Sequence, residues 1–427
     1  MSNRIAGIDV HKRMLAVAVA EAEGEGEYQF QRRWFAAMPG PLRELGAWLA
    51  QERVQEVVME STAQYWRPVW GALERFWAPE ARAQAGASAS AGKLHLAQAR
   101  SNRGARGRKN DFADAERLVK RLVAGELILS FVPEPEQRLW RTVTRRRERL
   151  CSDRTRLQNQ LETLLEEAHI KLSSLVSDLL GVSGRRMLRA LAEGQSYPEQ
   201  IAQLADRHLH ASQERLRDAL EAAGHLHPVY RRLLQMSLEQ LELLDRQIAA
   251  LEQQAADLMR PFGGAIERLA HVPGLRVRSA QQIVAEVGPS AATFPSAKAQ
   301  SSWVGVCPGQ QESAGANASS RSPRGNRPMR RILNQAAHAA VKLKGSIFEI
   351  RFHRLLPRLG YKAAIWAIAH QLCRVVWKIL HDEVAYQERG PFVIQQRLRI
   401  RTNRMVRELK RLGYRVDQPM PLPVVSA

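Results

Sequence analysis

Short apolar runs broken by single charges open the chain. RIAGIDV ends on an aspartate, MLAVAVAEA follows after HKR, and YQFQRRWFAA comes after a glycine-containing turn. Three such runs in succession predict a meander of β-hairpins. PLRELGAWLAQERV changes the period, with Leu42, Leu45, Trp48 and Leu49 on one helical face. VQEVVME predicts a buried strand ending in Glu60, YWRPVWGALERFW a helix, and DFADAERLVKRLVAGE a helix with Asp111 near its start. ARAQAGASASAGK, rich in Ala, Ser and Gly, has no clear assignment. The first part of the chain, residues 1–130, is therefore read as an α/β domain.

From about residue 131 to 262 the pattern is helical throughout. RTVTRRRERLCSDRTRLQNQLETLLEEAHIKL reads as one long basic amphipathic helix, and a second begins near Pro228. In the second, Leu234, Leu241, Ile248 and Ala255 recur every seven residues, with Leu244, Leu251 and Leu258 in the matching second positions. These are a/d heptads. They predict a coiled-coil seam, within the chain or between chains, or equally the core of an antiparallel helix pair.

The last part, 263–427, is expected to be mostly α-helical. LAHVPGLRVRSAQQIVAEVG places two short helices around Pro273 and Gly274, a helix–hairpin–helix pattern whose glycine turn can offer backbone N–H groups to a phosphate. Helices are predicted over RPMRRILNQAAHAAVKL, over KAAIWAIAHQLCRVVWKILHDE and over an arginine-rich tail ending at Gly413. Between the hairpin and these helices lies ESAGANASSRSPRGNRP, which is small, polar and basic.

Charge narrows the function class. A net charge of +21 and a pI near 10.7 point to a polyanionic partner, nucleic acid first. Cys151, Cys307 and Cys373 are widely spaced with no CxxC pair, which argues against structural zinc and fits a reducing compartment. The N-terminal apolar run is too short for a membrane span and contains an aspartate, so no membrane association is expected.

Four carboxylates stand out by position. Asp9 and Glu60 each break an apolar strand run, where a charge is costly without a partner. Asp111 and Asp114 are three apart and share a helix face. Taken alone, Asp111 suits a helix N-cap better than a ligand, and Asp114 suits a solvated face. If the four converge, their repulsion calls for divalent cations, and oxygen ligands favour Mg²⁺ or Mn²⁺. Two such ions can stabilise both oxygens of a phosphodiester displacement. In the loop, Arg321, Arg324, Arg327, Arg330 and Arg331 precede or open a helix with Pro328 in its first turn. That arrangement favours phosphate binding, and no neighbouring His or Asp supplies a base for a nucleophilic serine.

GIDVHKRMLAVAV, MESTAQYW and GRKNDFADAERL resemble the three signature segments of the DEDD transposases of the insertion-sequence one-hundred-ten family. AHVPGL, WVGVCPG, ESAG and RGNRPMRRIL resemble that family's C-terminal transposase domain. The resemblance spans nearly the whole chain, with ARAQAGASASAGKLH departing from the clearer apolar strand usual in relatives. It implies an N-terminal domain of the RuvC, ribonuclease H-like class, with Asp9, Glu60, Asp111 and Asp114 as the metal-binding set and Lys109 as the basic residue before the paired aspartates. It implies Ser313 as the catalytic nucleophile, which cleaves and rejoins DNA through a covalent serine–DNA link assisted by the metal-bound acids of the other domain. It further implies a structured guide RNA from the same element, assembly as a homodimer or tetramer, and action in the cytoplasm at the nucleoid. Two other readings share the acid cluster: a structure-specific nuclease that uses water, and an inactive nucleic-acid-binding scaffold.

Overall fold

The computed structural model describes residues 3–22, 28–60, 63–85, 92–99, 110–308, 311–313, 316–319 and 322–411. The chain divides into two compact units, Met1–Pro133 and Glu134–Ala427.

The first unit follows the expected change of period from two to 3.6. Its strands are β1 (Asn3–Val10), β2 (Met14–Ala22), β3 (Gln31–Ala36), β4 (Glu56–Glu60), β5 (Lys93–Ala97) and β6 (Leu129–Ser130). Its helices are α1 (Pro39–Gln51), α2 (Trp66–Phe76), α3 (Ala78–Ala85) and α4 (Asp111–Val123). The sheet order is β3-β2-β1-β4-β5-β6. The hairpin meander is present, since β1, β2 and β3 pair antiparallel. β4 returns parallel to β1, β5 is parallel to β4, and β6 is antiparallel to β5. The unassigned Ala/Ser/Gly stretch begins in α3 and leads to β5. Residues 86–91 between them lie outside the described residues.

Alternation along the strands makes two buried faces. Ile8, Leu15, Val17 and Met59 pack with Leu45 and Leu49 of α1 and Leu73 of α2. On the opposite face Ile5 packs on Val119, and Val58 and Ala97 pack on Leu118, so α4 covers it alone among the described helices. Gly7 lies on the α4 face. A Cβ there would stand 2.1 Å from the Ala115 carbonyl oxygen and 2.9 Å from Val119 Cγ2. Glycine is thus what lets the helix lie directly on β1. Gly7→Ala is expected to overpack this contact and cost roughly 1–3 kcal/mol. Denaturant unfolding should show a lower midpoint, and an unchanged midpoint would refute the close-contact account.

The second unit begins with α5 (Pro135–Glu167), α6 (Val182–Ala192), α7 (Pro198–Ala202), α8 (Gln213–Ala219) and α9 (Pro228–Leu258). Trp140 near the start of α5 meets Phe262 just past α9, with ring centroids 4.9 Å apart, while Arg154 reaches Asp245 at 2.8 Å. The two long helices therefore run antiparallel. Leu234, Leu241, Leu244 and Ile248 are buried in one core with Leu150, Leu157, Leu161 and Leu165. The heptad stripe is thus covered by a helix of its own chain.

A second core follows, built from α10 (Gly263–Ala270), α11 (Val277–Val287), α12 (Ala297–Val304), α13 (Arg327–Ala340), α14 (Ile347–His381) and the start of α5. Between α12 and α13 lie two short paired strands, β7 (Gln311–Ser313) and β8 (Ala316–Ser319), and α15 (Gly390–Arg411) closes the described chain. The hairpin of α10 and α11 forms as its pattern predicts. Its Gly274 has φ +83°, and a Cβ there would meet the Ala336 carbonyl oxygen at 2.2 Å. Packing against α13 is therefore a sufficient reason for that glycine. α14 is long and apolar enough to cross a membrane by length and composition. However, half of its apolar window is buried in the core, and Pro357 and Gly360 interrupt the helix.

Candidate active site

β1 carries Asp9 on the same face as Gly7, the face that α4 covers. The next residue on that side is His11, just past the strand. The close approach at Gly7 brings the first turn of α4 over this strand end. Asp9, His11 and Asp111 each offer a ligand atom, and all these atoms lie within 4.8 Å of one another. His11 Nε2 stands 3.1 Å from Asp9 Oδ2 and 3.3 Å from Asp111 Oδ1. All three side chains are partly buried. The helix N-terminus under Asp111 favours anions, which lowers the cost of crowding carboxylates there.

Asp111 is not the helix cap. Asn110 takes that role, its side chain accepting from the backbone N–H groups of Phe112 and Ala113. The capping alternative for Asp111 is thereby removed. Glu60 is the last residue of β4 and follows the Ile8–Met59 pair by one position, beside Asp9. It lies on the same face as Val58, the α4 face. Asp114 sits on the first turn of α4, where its Oδ1 accepts from Arg117 Nη2 at 2.6 Å. So Asp9 and Asp111 meet, Glu60 stands alongside, and Asp114 is engaged by Arg117 one turn away. Lys109 lies outside the described residues.

His11 is a candidate ligand that the carboxylates alone did not reveal. Its signal was present: in GIDVH, Asp9 and His11 are two apart on a strand and so share a side. Two carboxylates and an imidazole fit a divalent cation.

In the second unit, Ser313 ends β7 and pairs with Ala316 of β8. Arg321 lies outside the described residues. Arg324 and Arg327 are exposed. Arg330 is engaged differently. Its guanidinium donates to the carbonyls of Gly305 and Pro323 and to the Ser322 hydroxyl, and it stacks 4.5 Å over the Trp366 ring. Burial pulls its pKa down from the ordinary arginine value. Arg331 pairs with Glu148 of α5.

Asn326, the N-cap of α13, accepts from the Met329 N–H through its side-chain oxygen. Its amide nitrogen donates to Glu286 Oε2 at 2.9 Å. Glu286 is 0% exposed and receives a bidentate pair from Arg145 at 2.7 and 2.8 Å. The hydrogen bond and charge of Glu286 raise the Arg145 pKa against the cost of burial. One buried carboxylate thus ties α5, α11 and the start of α13 together. Glu286→Ala would strand the guanidinium, at a cost of about 3 kcal/mol. A thermal melt should fall by several degrees, and an unaltered melt would show that the pair is dispensable.

Two family models match this chain. One, a DEDD transposase model of the IS110 type, covers residues 6–170, and the second, described as the transposase IS116/IS110/IS902 family, covers residues 266–352. The chain belongs to the IS110 family of transposases. This is the insertion-sequence one-hundred-ten family that the motifs resemble. The first match contains all four carboxylates, and the second contains Ser313 and the arginine loop. A probable family 20 transposase of Pseudomonas aeruginosa is 29% identical over 160 residues, which is 36% of this chain and 46% of the relative. The matched segment is thus about half of that relative's length. DEDD transposases of the IS110 type depend on divalent metal, and the Asp9–His11–Asp111 group is the described cluster suited to hold it.

Proposed function

We propose that this IS110-family protein is a transposase that cleaves and rejoins the DNA of its own insertion sequence by serine chemistry. The observation that carries the reading is the meeting of Asp9 and Asp111, with Glu60 alongside, at one end of the α4 face. The sheet order, with β2 alone reversed among β3, β2, β1, β4 and β5, supports a ribonuclease H-like, RuvC-like class for residues 1–130. Residues 131–262 are the helical middle, and 263–427 the C-terminal transposase domain.

Asp9, Glu60, Asp111 and Asp114 would hold Mg²⁺ or Mn²⁺, with His11 joining the set. Bound there, the metal would supply charge stabilisation at the phosphoryl oxygens. Asp114 would have to leave Arg117 to join. The Ser313 hydroxyl attacks phosphorus, its proton leaves, a serine–phosphate ester forms and the bond to the leaving sugar oxygen breaks. The ester keeps the bond energy, so rejoining by a sugar hydroxyl needs no ATP. Lys109, Arg321, Arg324 and Arg327 would neutralise phosphates, while Arg330 is engaged by Pro323 and Ser322 of the loop and Arg331 by Glu148. The exposed arginines of α15, with the net charge of +21, suit two polyanions, the DNA and a structured guide RNA. We assign the working form as a homodimer or tetramer acting at the nucleoid.

The test is to incubate the full chain, with transcripts of its flanking DNA, on DNA carrying both flanks of its coding region. Junction sequencing should find metal-dependent joined products. Strand breaks without junctions would support a water-using nuclease, and salt-sensitive binding without breaks would support a scaffold.

A further inference from the structure

Beside the acid cluster lies an open cleft of about 570 Å³, bordered by Lys12, Arg13, Met14, Trp34 and Tyr65 together with His11 and Asp111. Nothing in the metal chemistry above uses its aromatic side. Trp34 is 45% and Tyr65 41% exposed, so both present aromatic surface to the cleft.

The sheet register shows why the aromatics are there. Asp9 pairs with Ala16 across β1 and β2, and Ala16 pairs with Trp34 across β2 and β3. Pairing keeps these three on one face in a single row. At about 4.8 Å per strand, Trp34 stands about 10 Å from Asp9 along the row. The residue between them is alanine, the smallest side chain that could floor the gap. Trp34 is held by Phe112, the neighbour of Asp111, with ring centroids 4.8 Å apart at 60°. One position further, Arg32 pairs with Glu116 of the same helix at 2.6 Å, which fixes the edge strand against α4. Tyr65 enters five residues after Glu60, at the start of α2. Trp34 is thus tied by strand register and by Phe112 to the strand and helix that position Asp9 and Asp111, and Lys12 and Arg13 border the same cleft.

We infer that this cleft binds an unpaired base of the DNA strand being cut, next to the scissile phosphate. The base would stack on Trp34 and against Tyr65, and Lys12 and Arg13 would neutralise the adjoining phosphate. Stacking on aromatics beside cations is the general way proteins hold single-stranded nucleic acid without reading sequence. The cleft opens within about one nucleotide's reach of the acids, so a base held there sets the phosphate's position along the strand. The inference rests on the proposed action on DNA, but its test does not need cleavage.

The probe is a short single-stranded oligothymidylate carrying one 2-aminopurine, titrated with the full chain in Ca²⁺ and read by fluorescence. Wild type should quench the probe. Trp34→Ala should weaken binding roughly tenfold and abolish most of the quench, and Trp34→Phe should keep most of both. Because Trp34 is half exposed, loss of folding is not expected, and the Phe variant controls for it. Equal binding and quenching by Trp34→Ala would overturn the inference, whether or not the enzyme cuts DNA. Binding of an oligouridylate probe but not of the DNA probe would overturn it too. Quenching lost with Trp34, in a protein that cleaves no DNA, would uphold the stacking site while removing the proposed function.

Discussion

Asp9→Asn is expected to slow DNA strand cleavage by roughly 10²–10⁴-fold. Charge stabilisation by a bound metal is worth several kcal/mol, and about 1.4 kcal/mol is tenfold in rate. The substitution keeps the size of the side chain and removes the charge at the centre of the cluster, where Asp9 lies 3.1 Å from His11. It should therefore spare the fold. It also removes carboxylate repulsion, so the variant should melt no lower than wild type in EDTA. Binding of nucleic acid should persist, since the basic residues assigned to it keep their charge without Asp9. The check is a single-turnover cleavage assay in Mg²⁺ and Mn²⁺ beside a melt in EDTA. Wild-type cleavage rates in Asp9→Asn, or in wild type with EDTA, would remove the metal role.

Ser313→Ala has an expected effect of similar size but a different character. It should eliminate any covalent protein–DNA species and all joined products. Metal binding by the first unit, read by Mn²⁺ titration, should be untouched, since the proposed ligands Asp9, His11, Glu60, Asp111 and Asp114 all lie in that unit. A water-using nuclease would behave oppositely, because cleavage would survive the loss of Ser313 and the products would carry no protein. The pair of variants thus separates two roles: Asp9 removes the chemistry and leaves the serine, and Ser313 removes the link and leaves the metal site.

Much of the first unit was legible because its signals are local. Period-two runs marked β1 to β4, and Asp9 and Glu60 were conspicuous as charges ending apolar strands. Asp111 was not settled by its own residue type. The neighbour Asn110 took the cap, and only the folded helix start shows which side chain does so. His11 was passed over because the search was for carboxylates, although its spacing from Asp9 was open to view. Trp34 was hidden for a deeper reason: its place in line with Asp9 depends on the register of two strand pairings, which no local pattern encodes.

In the second unit the heptads of α9 were plain, but a stripe does not name its partner. α5 ends about sixty residues before α9 begins, and its own apolar face covers the stripe. The arginine loop read as uniformly phosphate-facing because charge alone was visible. Folding divides it, with Arg330 spent on carbonyls of the loop and Arg331 on Glu148, while Arg324 and Arg327 remain exposed. Glu286 is one acid among the 43 of the sequence. Only burial shows it as the anchor between Arg145 and Asn326. Ser313 stood out through family likeness, since no group near it in sequence marks a serine as reactive.

The most direct test is to trap the intermediate. The full chain would be incubated with end-labelled DNA from the flanks of its coding region, in Mn²⁺ and in EDTA, then denatured, digested and mapped by mass spectrometry. The account predicts a nucleotide ester on Ser313, present with metal and absent without it. Metal-dependent breaks with no protein-linked nucleotide, or an ester on any other residue, would contradict it.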